Sequence, residues 1–305
     1  MFEELDIERD HYLEAKGQTA IEQTADIMIK CEQYFKDVMP DLVIVYGDVN
    51  STIAAAMVAK KLHIQVAHIE SGLRSRDRNM PEELNRIMTD SISDHLFITC
   101  QDGYDNLLKE GIDGSKCHLV GNTMIDSLVN LMSAFNDSTI VEDVGLEVDK
   151  YVLVTMHRPS NVDNETSLKK LLTELERISF EYNVVFPLHP RTAKNISNFN
   201  LDSIYKSKIK FIDPVGYIDF MKLQMHAMTV ITDSGGVQEE SSYFNTPCLT
   251  VRNNTERPVT ITHGTNKLIG TAYDNMLNEL ALIDVTKKSE IQYWDGESSN
   301  RISAI

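Results

Sequence analysis

The amino-acid sequence predicts an α/β protein made of two parallel-sheet domains with a cleft between them. Short apolar runs alternate along the chain with segments of helical periodicity, and strands separated by helices form parallel sheets covered on both faces. The 305 residues suffice for two hydrophobic cores, because single cores stop growing near roughly 250–300 residues. A polar, acidic stretch at 136–148 has no sustained period and is predicted to be a linker.

We therefore predict an N-terminal domain at 1–145 and a C-terminal domain at 146–305. The N-terminal domain has predicted strands at 42–46, 66–68, 96–99 and 118–120 and predicted helices at 19–38, 52–62, 82–92, 104–109 and 124–135. The C-terminal domain has predicted strands at 151–155, 184–187, 210–212, 229–232 and 248–251 and predicted helices at 167–179, 217–227, 237–244 and 273–282. Ligands of such sheets bind outside the carboxyl ends of the strands, so the residues that follow each strand are the candidate functional residues.

Composition limits the class of protein. The net charge of −17 and the pI near 4.9 argue against nucleic acid or an anionic membrane as a partner, because phosphate-rich surfaces need clustered Lys and Arg. The cysteines are scattered, with no spacing typical of a zinc site; they are Cys31, Cys100, Cys117 and Cys248. With no apolar run near membrane-span length and no leader pattern, a cytoplasmic protein is expected.

Carboxylates follow the first predicted strands. Asp48 comes after strand 42–46, Glu70 after strand 66–68, and Glu82 opens a helix after Pro81. Taken singly, each has an ordinary explanation as a turn residue, a helix cap or a partner of the helix dipole. Gathered at one cleft, they predict acid–base chemistry, because burial and mutual repulsion raise the pKa values of some members of such a group.

Basic residues follow the strands of the second half. His157 and Arg158 follow strand 151–155 after one intervening residue, an arrangement that suits an anionic ligand and proton exchange. His189 follows strand 184–187, and a structural role for it is about equally well supported. Arg257 lies in the polar loop after strand 248–251, which brings a further cation to the same edge.

The sharpest local signal is a glycine pair between a strand and a helix. Strand 229–232 leads through Asp233 and Ser234 into Gly235 and Gly236, and a helix follows at once. Glycines let backbone N–H groups approach phosphate oxygens, and the helix N-terminus attracts negative charge. Glu240, about one turn further on, is within reach of ribose hydroxyls. A tight turn without a ligand is the alternative, and a P-loop is excluded because no Gly-Lys-Ser/Thr follows.

Together these motifs resemble the signature set of the non-hydrolysing UDP-N-acetylglucosamine 2-epimerases. They are, in family order, GDVNST, HIESGLRS, PEELNR, GNTMID, HRPSNVDN, LHPRT, TDSGGVQEE and NTERPVTI. The resemblance implies two Rossmann-like domains of the GT-B type found in nucleotide-sugar glycosyltransferases, with UDP bound mainly by the second. It also implies inversion at sugar C2 through elimination and re-addition of UDP, with no cofactor and no metal, in a cytoplasmic homodimer that feeds polysaccharide biosynthesis.

The resemblance also assigns residues. It implies that Asp48, Glu70 and Glu82 are catalytic carboxylates and that His157 is the catalytic histidine, beside the substrate-binding Arg158. It implies a position close to the uracil for Phe220 and a part in holding a second, activating substrate molecule for His189. The UDP-binding positions that it implies are Ser234, Gly235, Gly236, Glu240 and Arg257.

The chain departs from the family at its start. The family's first strand and its Gly-Thr-Arg-Pro loop have no counterpart here, and residues 1–7 resemble a stretch inside the family's first domain. We therefore expect an incomplete first domain and reduced activity. Three other functions stay open: a GT-B glycosyltransferase that uses UDP-sugars, a hydrolysing 2-epimerase, and an inactive truncated paralogue.

Overall fold

The computed structural model describes residues 10–305 and divides the chain into two compact units. The first unit runs to Asp126 and also contains Gln292–Ile305, and the second unit is Ser127–Ile291. No helix in this described part is long and apolar enough to cross a membrane. The expectation that concerns residues 1–7 lies outside the described residues.

The elements are numbered in chain order. The strands are β1 Leu42–Tyr46, β2 Gln65–Ser71, β3 His95–Ile98, β4 Cys117–Leu119, β5 Tyr151–Thr155, β6 Asn183–Pro187, β7 Lys210–Ile212, β8 Thr229–Thr232, β9 Cys248–Thr250 and β10 Asn266–Leu268. The helices are α1 Ala20–Val38, α2 Asn50–Lys61, α3 Pro81–Ile92, α4 Gln101–Lys109, α5 Thr123–Asp137, α6 Ile140–Asp143, α7 Pro159–Val162, α8 Glu165–Ser179, α9 Pro190–Asn198, α10 Tyr217–Met225, α11 Gly235–Phe244, α12 Val259–Thr262, α13 Met276–Ala281 and α14 Ser298–Ser303. Short 3₁₀ turns lie at Gly114–Lys116, Asp202–Lys206 and Tyr273–Asn275.

The sheet of the first unit has the order β1-β2-β3-β4, with parallel pairing throughout. β1 is at one edge, and its side chains alternate between buried and exposed. Helix α1 begins with a capping box, in which the Thr19 side chain accepts from the backbone N–H of Glu22 and the Glu22 carboxylate accepts from the backbone N–H of Thr19. It packs on α2 over a core that includes Phe35 and Val45.

The sheet of the second unit has the order β10-β9-β8-β5-β6-β7, again with parallel pairing. The first four residues of β5 are fully buried, as expected for a central parallel strand covered on both faces. The chain order reverses between β5 and β8, which pair directly. In open α/β sheets this reversal opens the crevice in which ligands bind. The predicted α/β class with two parallel sheets is therefore confirmed.

The units differ from the predicted domains in two places. The division falls inside α5, at 126–127, rather than at 145–146. The stretch predicted as a linker contains α6, whose Val141 is buried in a hydrophobic cluster of the second unit with Tyr151 and Leu223. The C-terminal segment belongs to the first unit because its polar groups are bonded there. The Trp294 indole donates to the carbonyl of Thr99 at 3.0 Å, and the Asp126 carboxylate accepts from the backbone of Ser298 at 3.1 Å.

Candidate functional site

The loop after β1 is fixed by three side chains. The consecutive carbonyls of residues 46–48 accept from the Thr52 hydroxyl at 2.6 Å, the His68 Nε2 at 2.8 Å and the Asn85 amide at 2.8 Å. Gly47 adopts a φ of +61°, a left-handed conformation that glycine tolerates without strain. The predicted site residue Asp48 therefore lies in a loop whose backbone is held at three consecutive carbonyls.

The Asp48 side chain is also held. Its carboxylate forms an ion pair with the largely buried Arg86, whose second guanidinium nitrogen lies 3.0 Å from Glu83. Glu83 in turn accepts from the backbone N–H groups of Ser75 at 2.8 Å and Arg76 at 2.9 Å. Glu83 is thus a buried structural carboxylate, and Arg86 couples it to Asp48.

Two of the predicted carboxylates border one cavity of about 340 Å³. Asp48 and the exposed Glu82 both line it, since α3 begins beside the loop after β1. The third carboxylate, Glu70, has a φ of +71° at the carboxyl end of β2. A β-carbon added to Gly47 would lie 3.3 Å from Glu70 Oε2. The structure therefore brings all three predicted carboxylates to the loop after β1. The other residues that line the cavity are Gln23, Ile27, Val49, Asn50, Ser51, Pro81 and Asn85.

In the second unit, the residues after β5 and β8 meet at the reversal of strand order. The fully buried Asp233 accepts from the backbone N–H groups of His157 at 3.1 Å and Arg158 at 2.9 Å and from the Asn161 amide at 3.0 Å. His157 Nδ1 lies 3.2 Å from the same carboxylate. Burial lowers the pKa of His157, the Asp233 carboxylate raises it, and His189 and Arg158 lower it further, with a net decrease.

His189 lies beside His157, with the ring centroids 5.5 Å apart. It precedes α9, and its Nδ1 accepts from the backbone N–H of Arg191 at 3.2 Å. The Arg191 guanidinium pairs with Asp163, with Nε 2.8 Å from a carboxylate oxygen. His189 therefore combines a capping role with a position next to the predicted catalytic histidine, so both interpretations from the sequence have support.

The glycine pair follows β8 as predicted, but it forms the first two positions of α11, so this helix begins two residues earlier than its predicted start at 237. A β-carbon at Gly235 would lie 2.8 Å from the Arg257 guanidinium and 2.8 Å from the Glu256 carboxylate. The predicted residue Arg257 is thus next to the N-terminus of this helix. A helix N-terminus and an adjacent guanidinium both attract anions. Ser234, which precedes the helix, donates its backbone N–H to the Thr232 hydroxyl at 3.0 Å.

A buried network of arginines and glutamates surrounds that helix end. Glu256 lies 2.6 Å from Arg257 and 2.8 Å from Arg252, and Arg257 Nε lies 2.6 Å from Glu239. Burial raises the pKa of Glu256, but the cations Arg257 and Arg252 outweigh that effect and hold it well below its usual range. Arg158 also approaches Glu256, at 3.8 Å. Arg257 is therefore positioned by two carboxylates.

Glu240 is buried inside α11. Burial, together with the nearby Glu239, raises its pKa to about 8, although Gln224 and Arg257 act in the opposite direction. Burial and the Glu240 carboxylate also raise the pKa of Tyr217, on α10. Phe220, on the same helix, is half-buried against the hydrophobic cluster that contains Val141.

Several residues of these networks were not predicted. Arg86, three residues after Glu83 on α3, has the spacing of a helical ion pair, which is a signal readable from the sequence. The partners of Asp233 are about 75 residues away in the chain, and the role of Glu256 depends on its burial. Neither feature can be read from the sequence. Among residues 10–305, no group of three or more His, Cys, Asp or Glu side chains could hold a metal ion.

Comparisons with known proteins agree on one family. The family model described as UDP-N-acetylglucosamine 2-epimerase matches residues 1–305. A protein of Methanocaldococcus jannaschii named UDP-N-acetylglucosamine 2-epimerase is 41% identical over 100% of this chain and 86% of its own length. A Pseudomonas aeruginosa protein named UDP-2,3-diacetamido-2,3-dideoxy-D-glucuronate 2-epimerase is 39% identical over 99% of this chain and 85% of its own.

The fold agrees as well. The crystal structure of the M. jannaschii UDP-GlcNAc 2-epimerase in complex with UDP-GlcNAc and UDP matches with a TM-score of 0.88 and 40% identity, over 99% of this chain and 86% of that one. The expectation drawn from the motifs is confirmed at the level of the family. This chain belongs to the UDP-N-acetylglucosamine 2-epimerase family.

Proposed function

We propose that this protein interconverts UDP-N-acetylglucosamine and UDP-N-acetylmannosamine by inverting the sugar carbon C2. The observation that carries the proposal is the group of carboxylates around the loop after β1. Asp48 and Glu82 line one cavity, and Glu70 lies against Gly47. Removing a proton from carbon and returning it to the opposite face needs two proton-handling groups, and carboxylates in a confined site can supply them.

We assign the UDP moiety to the second unit. The N-terminus of α11 with Gly235 and Gly236, and the adjacent Arg257, supply the backbone N–H groups and the fixed cation that a diphosphate requires. Glu240 is the candidate partner for ribose hydroxyls, and Phe220 the candidate surface for uracil. His157 and Arg158 are candidates for the groups that stabilise charge on departing UDP.

The proposed reaction has two steps. A carboxylate removes the C2 proton while the bond from C1 to the UDP oxygen breaks, which leaves a C1–C2 double bond in 2-acetamidoglucal and free UDP. The UDP oxygen then adds back to C1, and a second group delivers a proton to the opposite face of C2. Atoms and electrons balance without any redox partner, so the reaction needs no nicotinamide cofactor. We assign the proton transfers to Asp48, Glu70 and Glu82.

Solvent exchange tests the reaction. Incubation with UDP-N-acetylglucosamine in heavy water should introduce deuterium at C2 of both epimers, measured by NMR and mass spectrometry. Inversion with full retention of the original hydrogen would contradict the mechanism. Release of free N-acetylmannosamine would indicate a hydrolysing epimerase, and sugar transfer to an added acceptor without C2 exchange would indicate a glycosyltransferase. No turnover with any nucleotide sugar would indicate an inactive paralogue.

The P. aeruginosa relative motivates a second substrate arm. Its name specifies a 2-epimerase of a UDP-linked diacetamido glucuronate, so the same experiment should include UDP-2,3-diacetamido-2,3-dideoxy-D-glucuronate. Faster C2 exchange with the uronate would reassign the sugar and keep the chemistry. The proposal also includes a homodimer in the cytoplasm; light scattering that gives the mass of a monomer at working concentrations would contradict the dimer.

A further inference from the structure

His68 is a buried histidine whose role the proposed mechanism does not explain. It lies on β2, two residues before Glu70, and is fully buried. Its Nε2 lies 2.8 Å from the carbonyl oxygen of Gly47, in the loop that precedes Asp48. A backbone carbonyl can only accept a hydrogen bond. Nε2 therefore carries a hydrogen and donates it to Gly47.

The other ring nitrogen also faces an acceptor. His68 Nδ1 lies 2.7 Å from one oxygen of the buried Asp90. The second Asp90 oxygen accepts from the Gly72 backbone N–H at 3.2 Å and lies 2.7 Å from Arg74. With a guanidinium and an N–H group directed at it, Asp90 is bound as a carboxylate, so Nδ1 must donate too. A ring that donates from both nitrogens is an imidazolium.

The charges of this cluster balance one another. Arg74, which faces Asp90, also binds Glu110 through two contacts of 2.9 and 2.6 Å. The series His68, Asp90, Arg74 and Glu110 thus alternates positive and negative charge from the interior to the half-exposed Glu110. Charges buried in this way are tolerated because each one is paired and hydrogen-bonded.

The ring holds two backbone segments of unusual conformation together. Gly47 and Glu70 both have positive φ, +61° and +71°, and such conformations persist at non-glycine residues only where the surroundings fix them. The backbone N–H of Gly47 also donates to the carbonyl of Ile69 at 3.1 Å. His68 therefore connects the segment that carries Glu70 to the loop that carries Asp48.

We propose that the His68 imidazolium, held by Asp90, is a positioning residue that sets the relative placement of the Asp48 and Glu70 carboxylates. This role rests on the proposed epimerase function. His68 is not assigned to contact the substrate; it acts through the carbonyl of Gly47. Replacing the ring by an apolar side chain would remove the donor to that carbonyl and the donor to one oxygen of Asp90, while Gly72 and Arg74 would still contact the other oxygen.

Two variants and a control test the proposal. His68→Leu keeps the approximate bulk and removes both donors, whereas the amide of His68→Gln can still donate to Gly47. Leu107→Ala removes fully buried apolar contacts elsewhere in the first unit and controls for general loss of stability. We expect kcat to fall roughly 10²-fold in His68→Leu, since displacement of a catalytic group by about 1 Å costs that much. Partial recovery is expected in His68→Gln, with KM and UDP affinity nearly unchanged in both.

The protonation of His68 is measured independently of activity. Nitrogen-15 NMR of the unaltered protein at neutral pH should show both ring nitrogens of His68 protonated, and a neutral tautomer would overturn the proposal. An active protein whose His68→Leu variant keeps its kcat, or loses no more than Leu107→Ala, would overturn the positioning role alone. An unaltered protein that exchanges no C2 hydrogen in any nucleotide sugar would overturn the proposed function and the positioning role together.

Discussion

The Asp233 carboxylate lies 3.2 Å from His157 Nδ1 and also accepts the backbone N–H of His157 at 3.1 Å. One buried side chain after β8 thus fixes both the backbone and the ring of a residue after β5. These two strands are adjacent at the reversal of strand order. Side chains from the two halves of the sheet meet there, which is why this position suits a ligand site.

Asp233→Asn should lower the pKa of His157. Burial already lowers that pKa and the Asp233 charge partly offsets the effect, so removal of the charge leaves the decrease unopposed. The measurement is an NMR titration of the His157 ring in the variant and the unaltered protein. Asp202→Asn, which removes an exposed carboxylate of the same unit, is the control. An unchanged or higher pKa in Asp233→Asn would disprove this reading of the pair.

The same shift predicts how stability varies with pH. Because the folded-state pKa of His157 is below the unfolded value of 6.5, the unfolded chain binds the extra proton more readily. The contribution of His157 to stability is therefore complete well above pH 6.5 and decreases as the pH falls through that value. His157→Asn should make thermal unfolding less sensitive to pH in this range. An equally steep pH dependence in the variant would show that other groups cause it.

Glu240→Gln should stabilise the protein at neutral and alkaline pH. The folded-state pKa of Glu240 is about 8, against 4.5 for the ordinary group, so the unfolded chain loses its proton first as pH rises. The resulting destabilisation grows between about 4.5 and 8 and is absent in the amide. One pKa unit corresponds to about 1.4 kcal/mol, so denaturant unfolding at pH 8 should show a gain of about 1 kcal/mol or more. A gain that is equal at pH 4 and pH 8 would contradict this origin.

Arg257→Ala should lower both the affinity for UDP and the stability of the protein. Loss of a charge-assisted contact costs about 1.5–3 kcal/mol of affinity, and Glu239 and Glu256 lose a buried cation. Gly235→Val should also weaken UDP binding, since its β-carbon would collide with Arg257 and Glu256. Calorimetry with UDP measures both variants. The control is Arg177→Ala, because Arg177 is a more exposed arginine of the same unit that pairs with Glu174; this change should leave UDP affinity unchanged. Unaltered UDP affinity in both Arg257→Ala and Gly235→Val would refute the assignment.

Sequence patterns predicted the main strands because buried parallel strands are continuous apolar runs, as in β5 and β8. They missed β10 and α9, whose sequences NKL and PRTAKNISN contain few apolar residues. β10 forms by pairing with β9, and α9 forms by packing Ile196 into the large hydrophobic cluster of the second unit. The prediction of the C-terminal segment as part of the second domain differs from the structure, because the hydrogen bonds of Trp294 and Ser298 that hold it in the first unit join residues far apart in the chain. Pairings of this kind leave no local periodicity.

The candidate site shows the same division. Residue types at strand ends identified Asp48, His157 and the glycine pair, because strand ends of parallel sheets lie at one edge. Asp48 contacts Arg86 and His157 contacts Asp233, in each case from another element, and the sequence gives no measure of such distances. Arg257, predicted to bind UDP, is held by the buried carboxylates of Glu239 and Glu256, and this pairing could not be predicted from the residue types alone.

Replacing each of the three carboxylates at the loop after β1 by its amide should lower kcat, whereas the same change in their buried neighbour Glu83 should mainly lower stability. Asp48→Asn, Glu70→Gln and Glu82→Gln should each lower kcat on the order of 10²–10⁴-fold, the usual contribution of general acid–base catalysis. UDP affinity should be largely retained, because the proposed UDP site is in the second unit. Glu83→Gln is the matched control on α3, since it accepts from Ser75 and Arg76 and pairs with Arg86.

Stability separates the two kinds of effect. Glu83 is almost fully buried and forms one of the two ion pairs described for Arg86. Loss of the Glu83 charge leaves Arg86 paired with Asp48. Breaking a buried pair costs about 3–5 kcal/mol, so Glu83→Gln should lower the melting temperature far more than Glu82→Gln, whose side chain is exposed. Fluorescence of Trp294, the single tryptophan and part of the first unit, follows this unfolding. Full kcat in all three site variants, or a stability loss in Glu82→Gln equal to that in Glu83→Gln, would show that the carboxylates serve the fold rather than the reaction.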